Sequence, residues 1–229
     1  MVLDLPASLR ANLLRGGGPL HFADLRRKLF HHRRKALLVF VVDASASMGE
    51  GAVERMIAAK GAILAFLTAA YQNRDQVALV AFRDQQAEVL LRPTSSVLLA
   101  QQQLRRLPLG GATPFADGLW QGWQLIRAER FKQPNLQAQL VLVSDGEANV
   151  PLAPRREIFP ELFGIARQIR RDDITTLVID SRAGLGHPKL RQLAQELGGS
   201  YRQISDLHAG KLLAALGPET FPGQIPSHR

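Results

Sequence analysis

The chain has 229 residues, 46% of them apolar, no cysteine, and a formal charge of +9. That length and apolar share suit one sizeable domain with appendages, and the missing thiol excludes disulfide staples, thiolate metal sites and cysteine nucleophiles. No apolar run approaches the roughly 20 residues of a membrane span, no secretory leader is recognisable at the N-terminus, and the excess of Lys and Arg predicts an acidic partner or surface.

In chain order, residues 1–35 read as a basic arm. Arg15-Gly16-Gly17-Gly18-Pro19 is a flexible break. It is not a phosphate loop, because neither a preceding strand nor a following Gly-Lys-Ser/Thr accompanies it. Beyond the break, Phe22, Leu25, Leu29 and Phe30 recur at helical spacing and predict a short amphipathic helix. The densest charge is Arg26-Arg27-Lys28 and His31-His32-Arg33-Arg34-Lys35. Aromatics do not interleave with it as a base-stacking platform would need, so a solvated arm is favoured over nucleic-acid binding.

From Ala36 the pattern alternates strand and helix. Strands are expected at 36–42, 76–82, 87–91, 140–143, 174–179 and near 200–203. The second and third are close enough to form a hairpin. Helices are expected at about 52–72, with Met56, Ile57, Ile63, Leu64, Phe66 and Leu67 as the apolar face, and from Ser95 or Ser96 through 106. Further helices are expected after Pro114, which suits a first helical turn, and over 157–171, 189–197 and 206–216. Trp120 and Trp123, three apart on the helix after Pro114, share a face and are expected in the core. The tail 217–229 reads as loose. Apolar strands separated by helices predict an α/β fold with a doubly wound, mostly parallel sheet, helices on both faces and one antiparallel edge strand over 36–216.

Three segments carry chemistry. Asp43-Ala44-Ser45-Ala46-Ser47 follows the first apolar strand and offers one carboxylate and two hydroxyls at alternate positions. Gly110-Gly111-Ala112-Thr113-Pro114 offers a hydroxyl in a glycine-rich loop, and Asp145 follows the apolar run Leu140-Val141-Leu142-Val143. In parallel sheets the ligand crevice lies beyond the carboxyl ends of the strands, which places Asp43 and Asp145 at one edge. Oxygen donors without sulfur suit a hard cation, Mg²⁺ or Mn²⁺. The ordinary alternative for Asp-x-Ser-x-Ser is a helix N-cap. The six histidines show no zinc spacing. Glu50 and Glu147 lie near the motifs, one in a loop or first helical turn and one on the rim, without a pattern that suggests water activation.

Asp43, Ser45, Ser47, Thr113 and Asp145, in that order and context, resemble the metal-ion-dependent adhesion site of von Willebrand factor A domains. Longer segments narrow the likeness. Val39–Met48, Arg55–Ala62, Asn73–Arg83, Ala87–Val97, Leu107–Pro114 and Ser144–Val150 resemble the A domain of the D subunit of magnesium chelatase, with Ala46 standing where that family often has Gly. The resemblance implies a non-catalytic, cytoplasmic adaptor. Its Mg²⁺, under-neutralised by Ser and Thr ligands, bridges to a carboxylate on an AAA+ ATPase of the chelatase or MoxR type, and a large chelatase subunit completes the complex that inserts metal into a tetrapyrrole. The family's ATPase-like domain and acidic linker have no counterpart in these residues. The competing readings are a general metal-dependent adhesion module and a basic nucleic-acid-binding module.

Overall fold

β1 (Ala36–Asp43) is buried along its whole length, which a strand achieves only when both sheet faces are covered. In this computed structural model, which describes residues 3–27, 36–45, 57, 60, 61, 63–65, 67, 68, 75–107, 110–182, 184 and 186–203, β1 is central in a six-stranded sheet. Its companions are β2 (Gln76–Arg83), β3 (Gln86–Thr94), β4 (Gln137–Ser144), β5 (Thr175–Asp180) and β6 (Ser200–Gln203), in the order β3-β2-β1-β4-β5-β6. All neighbours run parallel except the β2–β3 hairpin, whose tight turn places Asp84 at φ 55°. The doubly wound sheet with one antiparallel edge strand is as expected. From β1 the chain moves outward to β2, then crosses back to β4 on the other side. The strand order therefore reverses between β1 and β4, the place where α/β sheets open a crevice.

Alternation along β1 feeds two cores. Leu38, Phe40 and Val42 face a layer containing Ile63, Leu67, Ala100 and Leu104. The last two belong to α3 (Val97–Arg105), which Ser96 caps by accepting from the Leu99 N–H. Ile63 and Leu67 belong to α2, whose described positions lie between 57 and 68. Leu37, Val39 and Val41 face α4 (Phe115–Lys132), α5 (Ile158–Arg171) and α6 (Pro188–Leu197). Two core expectations need correction. Ile57 is 64% exposed, so the apolar face of α2 does not reach it. Trp123 is buried and its indole N–H donates to Asp172 at 2.7 Å, whereas Trp120 stacks edge-on at 5.2 Å with a third of its surface in water. Met56, Phe66, the expected helix at 206–216 and the tail 217–229 lie outside the described residues. None of the helices described is long and apolar enough to cross a membrane.

The chain divides into two compact units, Met1–Arg33 and Arg34–Arg229. The first unit contains α1 (Leu5–Leu14), which the arm reading did not anticipate; Asp4 caps it and Pro6 occupies its first turn. Asp24, 2% exposed, organises the rest. It accepts from Arg15 Nε and Nη2, both at 2.8 Å, from Asn12 at 3.3 Å and from the His21 N–H at 2.9 Å. The Arg15 guanidinium, with the backbone donor of His21, holds the Asp24 carboxyl well below the usual carboxylate range. The bond to His21 closes a single 3-10 turn over Phe22–Asp24, and Leu25 is already extended. The amphipathic helix expected there is thus not formed at Phe22 and Leu25; Leu29 and Phe30 lie outside the described residues.

Close approach of α4 to the sheet rests on two glycines. A Cβ on Gly118 would collide with the Phe82 ring, and one on Gly122 would sit 2.5 Å from Val41 Cγ2. Gly118→Ala is therefore expected to destabilise the fold by about 1–3 kcal/mol through overpacking, despite alanine's better helix propensity. Chemical denaturation of the two proteins checks it; an unchanged or raised midpoint would show that α4 has room to shift.

Candidate metal centre

The reversal of strand order sets the carboxyl ends of β1 and β4 side by side. Asp43 is the last residue of β1, and Ser144 ends β4. Ser144 Oγ donates to Asp43 Oδ2 at 2.7 Å, joining the two strand ends directly. Ser45 donates to Asp43 Oδ1 twice, from its hydroxyl at 2.6 Å and its backbone N–H at 3.0 Å. Asp145 follows Ser144, and its Oδ1 accepts the Glu147 N–H at 3.0 Å. Gly146, at φ 87°, makes the turn between them; a side chain there would press into the His187 ring.

Thr113 arrives on a loop tied to both strand ends. The Gly110 N–H donates to the Ala44 carbonyl at 2.9 Å, which anchors the loop beside β1. The Thr113 N–H donates to Asn149 Oδ1 at 2.6 Å, and the Asn149 N–H returns a bond to the Thr113 carbonyl at 3.2 Å. The loop after β4 thus grips Thr113 from both sides. Asp43, Ser45, Thr113 and Asp145 are all no more than 2% exposed. Ser47 and Glu50 lie outside the described residues.

Sequence reasoning missed three residues here. Ser144, the direct donor to Asp43, was hidden as the last letter of an apolar strand. Asn149 carries a role visible only once the loops meet. Asp180 repeats the pattern of an apolar strand ending in Asp and is fully buried. It accepts from the Arg182 N–H at 2.9 Å, the His187 N–H at 2.6 Å and the Tyr201 hydroxyl at 2.6 Å. Arg182 in turn pairs with the half-exposed Glu147.

The electrostatics fit a cation. Burial pushes the Asp43 carboxyl up to about 6, its hydrogen bonds from Ser45 and Ser144 pull the other way, and the nearby negative charge of Asp145 raises it further. Among the described residues no Lys, Arg or His forms a salt bridge with Asp43 or Asp145. Nor does any group of three or more His, Cys, Asp or Glu gather into a metal cluster among them. A metal ion at this edge would rest on carboxylate and neutral hydroxyl oxygens, a set that suits Mg²⁺ or Mn²⁺, and with only one of the two carboxylates bound directly its inner shell would keep a net positive charge. A hydroxyl whose proton is committed to a carboxylate, as in Ser45, offers only oxygen lone pairs to a further partner.

In metal-free protein the buried Asp43 charge opposes folding. The folded carboxyl titrates above its unfolded value, so its contribution to stability is full below about pH 4 and is lost as pH rises through about 6. Asp43→Asn is accordingly expected to raise stability in EDTA at pH 7 by about 2–3 kcal/mol and by much less at pH 4. Thermal melts of both proteins at the two pH values read this directly, and a destabilised Asn variant at pH 7 would contradict it.

The chain is similar to known proteins in sequence and in fold. A family profile for the von Willebrand factor type A domain matches residues 38–147. The magnesium-chelatase 67 kDa subunit of Chlorobaculum parvum is 38% identical over 203 residues, covering 84% of this chain and 32% of that protein. The chain thus spans about a third of the length of that relative. An uncharacterized Methanocaldococcus jannaschii protein is 35% identical over 169 residues, covering 71% of this chain and 94% of that one. Among solved structures, the vWF domain of the type V pili tip protein Mfa5 from Porphyromonas gingivalis superposes with a TM-score of 0.62 over 86% of this chain and 99% of that one, at 14% identity, which shows the shared fold.

Proposed function

We propose that this chain, which belongs to the von Willebrand factor type A domain family, is a non-catalytic, metal-dependent adaptor of the magnesium-chelatase type. The observation that carries the reading is the junction at the reversal of strand order. Two buried carboxylates stand at adjacent strand ends, Asp43 accepts from the hydroxyls of Ser45 and Ser144, and neither carboxylate forms a salt bridge with a cationic side chain among the described residues.

In this reading Asp43, Ser45, Ser47, Thr113 and Asp145 hold Mg²⁺ or Mn²⁺. The ion would supply a positive charge able to accept a carboxylate from another protein. The chain's own residues do the remaining work. Ser144 and the Ser45 N–H orient the Asp43 carboxylate, Asn149 fixes Thr113, and the Glu147–Arg182 pair stands at the rim. The partner is an AAA+ ATPase of the chelatase or MoxR type, met in the cytoplasm, and the assembled complex serves metal insertion into a tetrapyrrole with a large chelatase subunit. Similarity to magnesium-chelatase subunits supports the choice of complex.

Calorimetry with MgCl₂ and MnCl₂ tests the site. Wild type is expected to bind with one-to-one stoichiometry, Asp43→Ala and Asp145→Ala to lose the signal, and Thr113→Ala to weaken it by about tenfold, equivalent to about 1.4 kcal/mol. Equal binding by wild type and Asp43→Ala would remove the assignment. Docking is tested by capturing a chelatase-type AAA+ ATPase on the immobilised chain with Mg²⁺ and with EDTA. Capture that survives both EDTA and Thr113→Ala would mean the metal edge is not the docking surface.

A further inference from the structure

Among the described residues, β6 is the last strand on its side of the sheet. β6 pairs with β5 through residues Ser200–Gln203, and no described strand lies on its other side. A cleft of about 450 Å³ runs along this border between β6 and α6, lined by Arg191, Gln195, Tyr201, Arg202 and Gln203 among others. Arg191 and Arg202 are among its lining residues and no acidic residue is; Arg202 Nη1 donates to the exposed Tyr201 carbonyl at 3.0 Å. Glu196, the nearest acidic residue on α6, is turned to Arg167 at 3.3 Å. The cleft is also rigidly supported. The Arg191 guanidinium lies 5.2 Å from the centre of the Tyr201 ring, and the Tyr201 hydroxyl is anchored on buried Asp180.

Strand geometry then specifies the occupant. Tyr201 pairs with Val178 and packs with the α4–α6 core, while Arg202, the next residue, is exposed and belongs to the opposite sheet face. A further strand laid beside β6 would project alternate side chains to the two faces. On one face it meets Arg191 on α6, and on the other Arg202. Short edge strands bearing charge deter indiscriminate pairing, and a positive pair repels a cationic strand and favours an acidic one.

We propose that the β6–α6 cleft is a docking groove for an extended acidic segment of a partner protein, added beside β6 as a seventh strand with its carboxylates on Arg191 and Arg202. Backbone bonds to the sheet edge supply affinity, and the two guanidinium groups supply selection for negative charge. The groove works without the metal ion, so it is a second contact surface and stands apart from the adaptor reading. The chain's charge of +9 is in keeping with an acidic partner.

The probe is a fluorescein-labelled peptide of about eight residues alternating valine and glutamate, long enough for one strand, with valine–glutamine and valine–lysine peptides as controls. Anisotropy with the full chain is expected to show the glutamate peptide binding at least about tenfold tighter than the glutamine peptide at low salt, with the lysine peptide weakest. Arg191→Ala/Arg202→Ala should abolish that preference. Arg105→Ala/Arg106→Ala, which removes the same charge from the end of α3, should retain it, as should Asp43→Ala and EDTA. Amide hydrogen exchange should slow at residues 200–203 when the glutamate peptide binds. Thermal melts check that the double variant is folded; if it is not, Arg202→Gln alone, on the exposed face of β6, must reduce the preference. Equal binding of glutamate and glutamine peptides, equal loss on removing Arg105 and Arg106, or residues 200–203 already protected before peptide is added would each overturn the proposal. Because the readout needs no metal, a chain that fails calorimetry but passes here loses the metal reading alone.

Discussion

Much of the molecule is arranged around one buried carboxylate. Asp43 sits at the end of a strand covered on both faces, so it leaves the sheet inside apolar surroundings rather than in water. Desolvation favours its neutral form, and the neighbouring charge of Asp145 adds to the cost. Three hydrogen bonds from Ser45 and Ser144 hold the carboxylate in place without neutralising it. The strain is confined to a junction that the sheet itself creates, because only where the strand order reverses do two strand ends stand side by side with no crossover helix between them. Glycines packed under Phe82 and against Val41 bring α4, which follows the Thr113 loop, close enough to close the junction.

Asp180 shows what the same position does when its surroundings differ. It too ends an apolar strand and is fully buried. Its acceptors are engaged by two backbone N–H groups and a phenol, which fix the β5–α6 loop and the base of β6. No second carboxylate follows it directly in the chain, where Arg182 instead reaches across to Glu147. One Asp of the three therefore stabilises a loop, while the other two concentrate negative charge. The difference lies in the partners rather than in the residue type, and it explains why an Asp at a strand end is a weak signal alone.

The first unit is built on a different principle. Its inner face is polar, with Ser8, Asn12 and Asp24 buried and Arg15 closing over Asp24. The leucines of α1, such as Leu9 and Leu13, point outward. Charge-assisted hydrogen bonds therefore do there what an apolar core does in the larger unit. Hydrophobic periodicity misled at Phe22 and Leu25 for this reason: a local Asp24–His21 bond closed a tight turn before a helix could propagate.

Between residues 36 and 203, strand and helix order, the hairpin, a cap at Ser95 or Ser96 and the strand ends bearing Asp43 and Asp145 were legible in the linear pattern, because burial on both faces writes unbroken apolar runs and turns write Gly, Pro and Ser. The oxygen-bearing residue types at the strand ends, Asp43, Ser45 and Asp145, were legible too. The meeting of those residues was not. Ser144 reads as one more strand residue until β4 is laid beside β1, and Asn149 reads as loop until Thr113 is brought to it. Trp120 and Ile57 carried core-like letters yet face water, since periodicity names a helix face but not how far the neighbouring layer extends. Local chemistry along the chain thus determined which groups were available, and the order of strands across the sheet, a long-range property set by crossover connections, decided which of them share a site.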